Sequence, residues 1–469
     1  MMPFAVRLSQ VSNLSIHFME SYSSSEPFAF PVNINPHYFK THANPEFRLK
    51  LTRAGWRRSF SPTILGEWFK MGDDACLKIL KYHPRKTDEL LETKWELTVV
   101  DELFGICMYG LSAFHYSHKS TPYIIQSTTT IAHPFTWNLG LGRPLHHRPS
   151  MWFPYNDNLH YDITKFRSRL RSVIHGLITK FGIDFLTQTY NINGIKQLGV
   201  NDFSFHKFWK NLAYNFHEDL TNFVFPAPIS NRVKQIGRHC PKAEPLSQEF
   251  LKFMEDPNSK GTIFIAFGTN VAWDVAPKYI IDAFFDAVNN LTEYRIVFGY
   301  NGLKLNKTIG SHVKLVPWCP QVDILNHTST KLFITHGGLK SLKESICFST
   351  PLIVVPLAAE QTHNGATVLE MGFAHVLNKF TLSATKLLSS IKEILGNDTY
   401  KNSVAKFNRM FVDTPIASLD EAAFYAKRAI RLKDRQTTFK VEGGDLSWSI
   451  TVFLPLFTVF VLFTALLSQ

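Results

Sequence analysis

The sequence predicts an α/β chain of two domains, the second of them doubly wound, closed at its carboxyl end by one membrane-spanning helix. Three observations carry that prediction. At 469 residues the chain exceeds what one ordinary core organises. Short apolar runs ending in glycine, proline or an acid alternate with helical patterns, as in parallel strands joined by helices. From Leu446 to Leu467 no residue is charged.

Taken in order, residues 1–60 show little periodicity, with the run Ser23-Ser24-Ser25 and several prolines. Leu97-Thr98-Val99-Val100-Asp101 reads as a buried strand ending in an acid, and Thr121–Gln126 as a second. A helix over Leu103–Phe114 joins them into a βαβ unit. The stretch 150–225 is aromatic-rich and helical or irregular. Asp256–Gly261 is a turn cluster that opens a fresh start: Thr262–Phe267 is an apolar strand, Gly268-Thr269-Asn270 a turn, and Pro277 begins a helix. Strands recur at Tyr294–Phe298, Val313–Val316, Leu332–Thr335 and Leu352–Val355. The boundary falls near 245, giving domains over 1–245 and 246–440. In sheets of this kind ligands bind at the carboxyl ends of the strands.

Leu446–Leu467 is long enough, at ~1.5 Å per residue, to cross a ~30 Å hydrocarbon core. Trp448 near one end suits the interface, and Pro455 is tolerated inside a bilayer. Met1–Glu20 holds no apolar run of signal-peptide length. The expectation is a chain that is either tail-anchored or lacks its true start.

Composition narrows the function classes. Hydrophobic content of 45% with 19% charged residues excludes a disordered chain. The net charge of +12 is spread without a basic run interleaved with aromatics, so no nucleic-acid partner is expected; the basicity suits a membrane lipid surface. Cys76, Cys107, Cys240, Cys319 and Cys347 form no CxxC pair, which excludes a zinc site by spacing and leaves disulfides open.

Chemistry concentrates in the second domain. His336-Gly337-Gly338 lies between a strand and a helix, where glycines let backbone N–H groups approach a phosphate and the helix N-terminus favours its charge. Thr269, after the domain's first strand, offers a second phosphate contact. Glu344, two turns into the helix, can reach a ribose. Trp318 can stack on a base, and Gln321 in the same loop can bond the nucleoside. Glu360 and Gln361 follow a strand where sugar hydroxyls would lie. Each alone has a plain structural reading: a turn, a solvated helix acid, a core tryptophan. Their ordered spacing together points to a sugar nucleotide.

These residues, and above all the run from Trp318 to Gln361, resemble the signature of the UDP-glycosyltransferases, the UDP-glucuronosyltransferase-like group of animals. The resemblance runs from about Glu67 to the end and is strongest over Thr262–Phe380. It implies a GT-B fold, two Rossmann-like domains facing a cleft. UDP-glucuronate or UDP-glucose would be the donor, serving as co-substrate with no further cofactor, and a small lipophilic compound the acceptor. Trp318 would stack the base, Gln321 and Glu344 hold the ribose, Thr269, His336 and Gly338 the diphosphate, and Glu360 and Gln361 the sugar. No metal is expected. Asp101 would be the catalytic aspartate that orients a base histidine.

The sequence departs from that pattern in places. No strand-then-histidine turn appears within residues 1–60; His17, His37 and His42 lack the context. Lys340 either adds a cation to the phosphate site or points into solvent. Glu360 stands where aspartate is usual. The resemblance implies an endoplasmic reticulum membrane protein with a lumenal body, and sequons at Asn13, Asn290, Asn306, Asn326 and Asn397 agree. The cations Arg428, Arg431, Lys433, Arg435 and Lys440 before the anchor argue for the opposite side. Three functions stay open: an inverting UDP-sugar transferase for lipophilic hydroxyls, a donor-binding homologue that partners active copies in a homo- or hetero-oligomer, and a lipid-linked-sugar transferase.

Overall fold

A computed structural model describes residues 1–22, 26–41, 45–103, 105–129, 136–141, 144–304, 307–433, 446 and 454–467. Twelve strands are described: β1 Ile16–Tyr22, β2 Ile34–Lys40, β3 Thr98–Asp101, β4 Tyr123–Ser127, β5 Tyr214–His217, β6 Val233–Gln235, β7 Thr262–Ala266, β8 Arg295–Gly299, β9 Val313–Val316, β10 Thr330–Thr335, β11 Leu352–Val354 and β12 Ala374–Val376.

The second domain is a six-stranded parallel sheet in the order β12-β11-β10-β7-β8-β9. Its central strands are apolar on both faces because helices cover both sides: all of Thr262–Ala266 and Leu352–Val354 is buried. Strand order reverses between β7 and β10, so the crevice at their carboxyl ends is the ligand position this topology provides. The first domain holds the parallel sheet β3-β4-β5-β6. Residues 1–60, opaque in the sequence, form a helix over Met2–Gln10, the separate parallel pair β1-β2 and a helix over Pro45–Arg57.

The two halves interlock. Trp56, fully buried, packs with Phe267 and Trp273 in the second domain's core and donates its indole N–H to Ala272 O at 3.0 Å. The buried Lys379 ammonium donates to the carbonyls of Gly55, Arg58 and Leu357. In the other direction, helix Ser418–Leu432 lays Ala422, Ala423, Ala426 and Ala429 against Phe4, Ile124 and Phe216 of the first domain. Cystines join Cys76 to Cys107 and Cys240 to Cys347, the second tying the interdomain segment to the end of helix Leu339–Cys347.

At the carboxyl end the described helix is Leu454–Leu467. Its 14 residues reach about 21 Å, short of a ~30 Å hydrocarbon core. Residues 447–453 of the expected span lie outside the described residues. Among the described residues no helix is long and apolar enough to cross a membrane.

Candidate functional site

The crevice at the β7/β10 switch point gathers most of the residues singled out in the second domain. The turn after β7 needs Gly268, whose φ of +75° is open to glycine and whose missing Cβ leaves room for His336. After β10, Gly337 turns the chain at φ +89°, and a Cβ on Gly338 would stand 2.8 Å from His336 Nε2. The imidazole is therefore packed between two glycine turns, with Nδ1 3.3 Å from Thr335 Oγ1. Burial pushes its pKa down to about 4, so the ring is neutral at pH 7 and carries one N–H for an anion. Helix Leu339–Cys347 starts from Gly338 and aims its free N–H groups at the same place. Thr269 is exposed at the rim of the turn after β7.

Gln321 opens a short helix beside this one. Its amide donates to Ser341 Oγ at 3.1 Å and to the Glu344 carboxylate, which joins the two residues assigned to the ribose. Burial raises the Glu344 pKa, and the Gln321 bond partly offsets that. Trp318, at the end of β9, is 67% exposed. It is no core tryptophan, and its ring face is open to a base.

Glu360 is buried at the start of helix Gln361–Glu370, and burial brings its pKa up to about 7. Gln361 uses its side-chain oxygen to hold its own loop, accepting from Leu357 N at 2.8 Å and Ala358 N at 2.9 Å. Asn364, one turn on, donates to Gly337 O at 2.9 Å and so fixes the glycine turn after β10 from behind. Lys340 is exposed.

On the facing domain, Asp101 ends β3. Its Oδ1 accepts from Leu103 N and its Oδ2 from Thr128 Oγ1, both at 3.1 Å. His17 and His37 are bonded to each other at 2.8 Å beside Trp95, and His42 lies outside the described residues. Two ionisable groups escaped the sequence reading. Glu102 is 1% exposed; burial, resisted by bonds from Thr129 and Ser127 and aided by Asp101 and Glu360, lifts its pKa to about 8. Glu218, after β5, pairs across the domains with Lys343 at 2.8 Å and accepts from Gln126 at 2.8 Å. Burial alone would raise the Glu218 pKa, but the Lys343 ammonium, the amino terminus and the bond from Gln126 together outweigh it and bring the carboxyl down to about 2. Neither had a local signal: Lys343 and Glu218 are 125 residues apart.

Loop 356–361 touches the first domain, with Ala359 inside that domain's core cluster. Beside it, a cavity of about 250 Å³ is walled by Phe60, Met151, Trp152, Tyr155 and Phe380. Its walls are aromatic and come from both domains, which suits a small apolar molecule.

The family model for UDP-glucuronosyl and UDP-glucosyl transferases matches residues 142–465. Over 228 residues the chain is 31% identical to UDP-glucuronosyltransferase 2B7 of Homo sapiens, covering 48% of this chain and 42% of that protein. UDP-glucuronosyltransferase 2B15 of Homo sapiens is 29% identical over 289 residues, 60% of this chain and 53% of that protein. The chain thus matches about half the length of these curated relatives. Among solved structures, a UDP-glucosyltransferase from Polygonum tinctorium superposes with a TM-score of 0.53 at 14% identity, over 90% of this chain and 94% of that one. UGT2 of Phytolacca americana, in complex with UDP-2-fluoro-glucose and pterostilbene, gives 0.54 at 15% identity over 91% and 95%. At such identities the likeness is one of fold, and the fold is GT-B.

Proposed function

The chain belongs to the UDP-glucuronosyl and UDP-glucosyl transferase family, and from that premise we propose that it transfers a hexosyl group from a UDP-sugar to a hydroxyl of a small lipophilic acceptor. The observation that carries the proposal is the assembly at one switch point of an open tryptophan face, a Gln321–Glu344 pair and a neutral histidine between glycine turns. In this reading uracil stacks on Trp318, and Gln321 and Glu344 take the ribose. Thr269, His336 and the N–H groups from Gly338 onward take the diphosphate. The histidine and helix end stabilise the charge that builds on the leaving UDP. Glu360 and Gln361 lie beside the sugar, and the aromatic cavity between the domains receives the acceptor. Glucose and glucuronate are both kept as sugars.

Asp101 is assigned to the acceptor side, at the end of β3, where it orients the group that removes the acceptor proton. One observation favours a second reading. Both Asp101 oxygens are engaged, by Leu103 and Thr128, as in a turn cap. A chain that binds donor without turning it over, acting as a partner of active copies, fits that arrangement.

The cellular setting belongs to the proposal too: a membrane anchor over 446–467 and a body in the lumen of the endoplasmic reticulum. Two cystines support an oxidising compartment. Transfer is tested with the full chain in membranes, labelled UDP-glucose or UDP-glucuronate and a panel of phenols. Labelled phenol glycoside is the expected product, and Asp101→Asn is expected to abolish it while leaving UDP affinity unchanged. A chain that binds UDP but yields no product supports the second reading instead.

A further inference from the structure

Lys379 follows β12, and its side chain crosses to the loop that follows the neighbouring strand β11. The residue is fully buried, and among the described residues no carboxylate balances its charge. Its three donors are taken instead by three backbone carbonyls. Two of them, Gly55 O and Arg58 O, lie at the carboxyl end of helix Pro45–Arg57, where carbonyls lack helical partners and a cation is favoured. The third is Leu357 O, at 2.5 Å, in the loop that leads to Glu360 and Gln361. The rings of Tyr155 and Phe380 cover the ammonium, with centroids 4.3 and 4.9 Å away. A residue that only filled space here would be apolar. A buried ammonium fixes the directions of three carbonyls, at a cost in desolvation.

The loop it reaches needs holding. Leu357 donates its N–H to Gln361 Oε1, and its carbonyl accepts from Lys379 and, at 3.2 Å, from the Tyr155 hydroxyl. Two residues on, Ala359 has φ +56°, a left-handed conformation that a residue with a Cβ disfavours. Such a conformation persists only where its surroundings over-determine it. Here the Ala359 side chain is buried in the first domain's core, and the Leu357 peptide is clamped on both sides. Glu360 follows directly, so the direction of its carboxyl depends on that turn. One ammonium thus ties the first domain's helix to the second domain's loop, and both domains set where Glu360 stands.

We infer that Lys379 is a positioning residue for the donor sugar: it fixes loop 357–360 so that Glu360 and Gln361 meet the sugar hydroxyls. The inference rests on the reading that places the sugar beside those two residues. Calorimetric titration of the full chain with UDP, and with UDP-glucose or UDP-glucuronate, whichever the wild type takes, separates the sugar's contribution from the nucleotide's. Lys379→Met is expected to leave UDP affinity unchanged and to weaken the UDP-sugar by about tenfold or more, the effect of losing one or two sugar hydrogen bonds. Glu360→Ala is expected to follow the same pattern. The double variant is expected to lose no more than the larger single loss, because Lys379 acts through Glu360. If Lys379→Met does not fold, Lys379→Gln, which keeps an amide donor in the pocket, is read against the same ligands. Losses that add in the double variant overturn the inference, as does a Lys379 variant that weakens UDP and UDP-sugar alike, or neither. A wild type that binds UDP but neither UDP-sugar also overturns it. One that binds no UDP removes the reading of the site, and this inference with it.

Discussion

Single residues decide the electrostatics of the cleft. Glu102 adjoins Asp101 yet is wholly covered, and its folded pKa of about 8 lies far above that of an exposed glutamate. The sign follows from linkage: a raised carboxyl pKa means the folded state keeps a proton that the unfolded state releases. As pH rises from about 4.5 toward 8, the wild type therefore loses stability relative to Glu102→Gln, at roughly 1.4 kcal/mol per pH unit. Urea denaturation at pH 5 and pH 8 is expected to show the variant's advantage widening; a constant gap contradicts a buried, protonated Glu102. Trp318, Gln321, His336, Glu344 and Glu360 were legible in the sequence because each sits at a fixed offset from a strand end or a glycine turn. Glu102 was not. Nothing local distinguishes a strand-end residue that turns inward from one that turns to water.

At the scale of elements, strands buried on both faces announce themselves as unbroken apolar runs, so β7, β10 and β11 were readable. β1 and β2 were not, since in both strands most residues are half-covered or exposed and the polar positions Glu20 and His37 interrupt the run. The cross-domain pair Glu218–Lys343 joins β5's end to the middle of helix Leu339–Cys347, one residue from Glu344. Lys343→Met leaves a buried carboxylate without its cation, which costs about 3–5 kcal/mol. The double variant Lys343→Met with Glu218→Gln removes both charges and is expected to recover most of that loss in chemical denaturation. The wild-type pair also sets an acid limit. With the Glu218 pKa held near 2, its contribution is full above the unfolded value near 4.5 and fades as pH falls toward 2.

At the scale of the molecule, the domains are stapled in both directions, by Trp56 reaching into the second core and by helix Ser418–Leu432 lying back on the first. Neither staple is legible in the sequence, because periodicity gives a helix its face but not its partner. Trp56→Ala opens a cavity at the junction and is expected to cost about 3–5 kcal/mol, with thermal unfolding changing from one transition to two if the domains uncouple. The central claim is that the switch point of the second domain binds UDP through the Trp318 face. Calorimetric titration of the folded chain with UDP tests it most directly, wild type beside Trp318→Ala. One site is expected, weakened in the variant by about 1–3 kcal/mol, roughly 5- to 150-fold. Equal affinity in the two proteins, or a folded wild type that binds no UDP, would contradict the account.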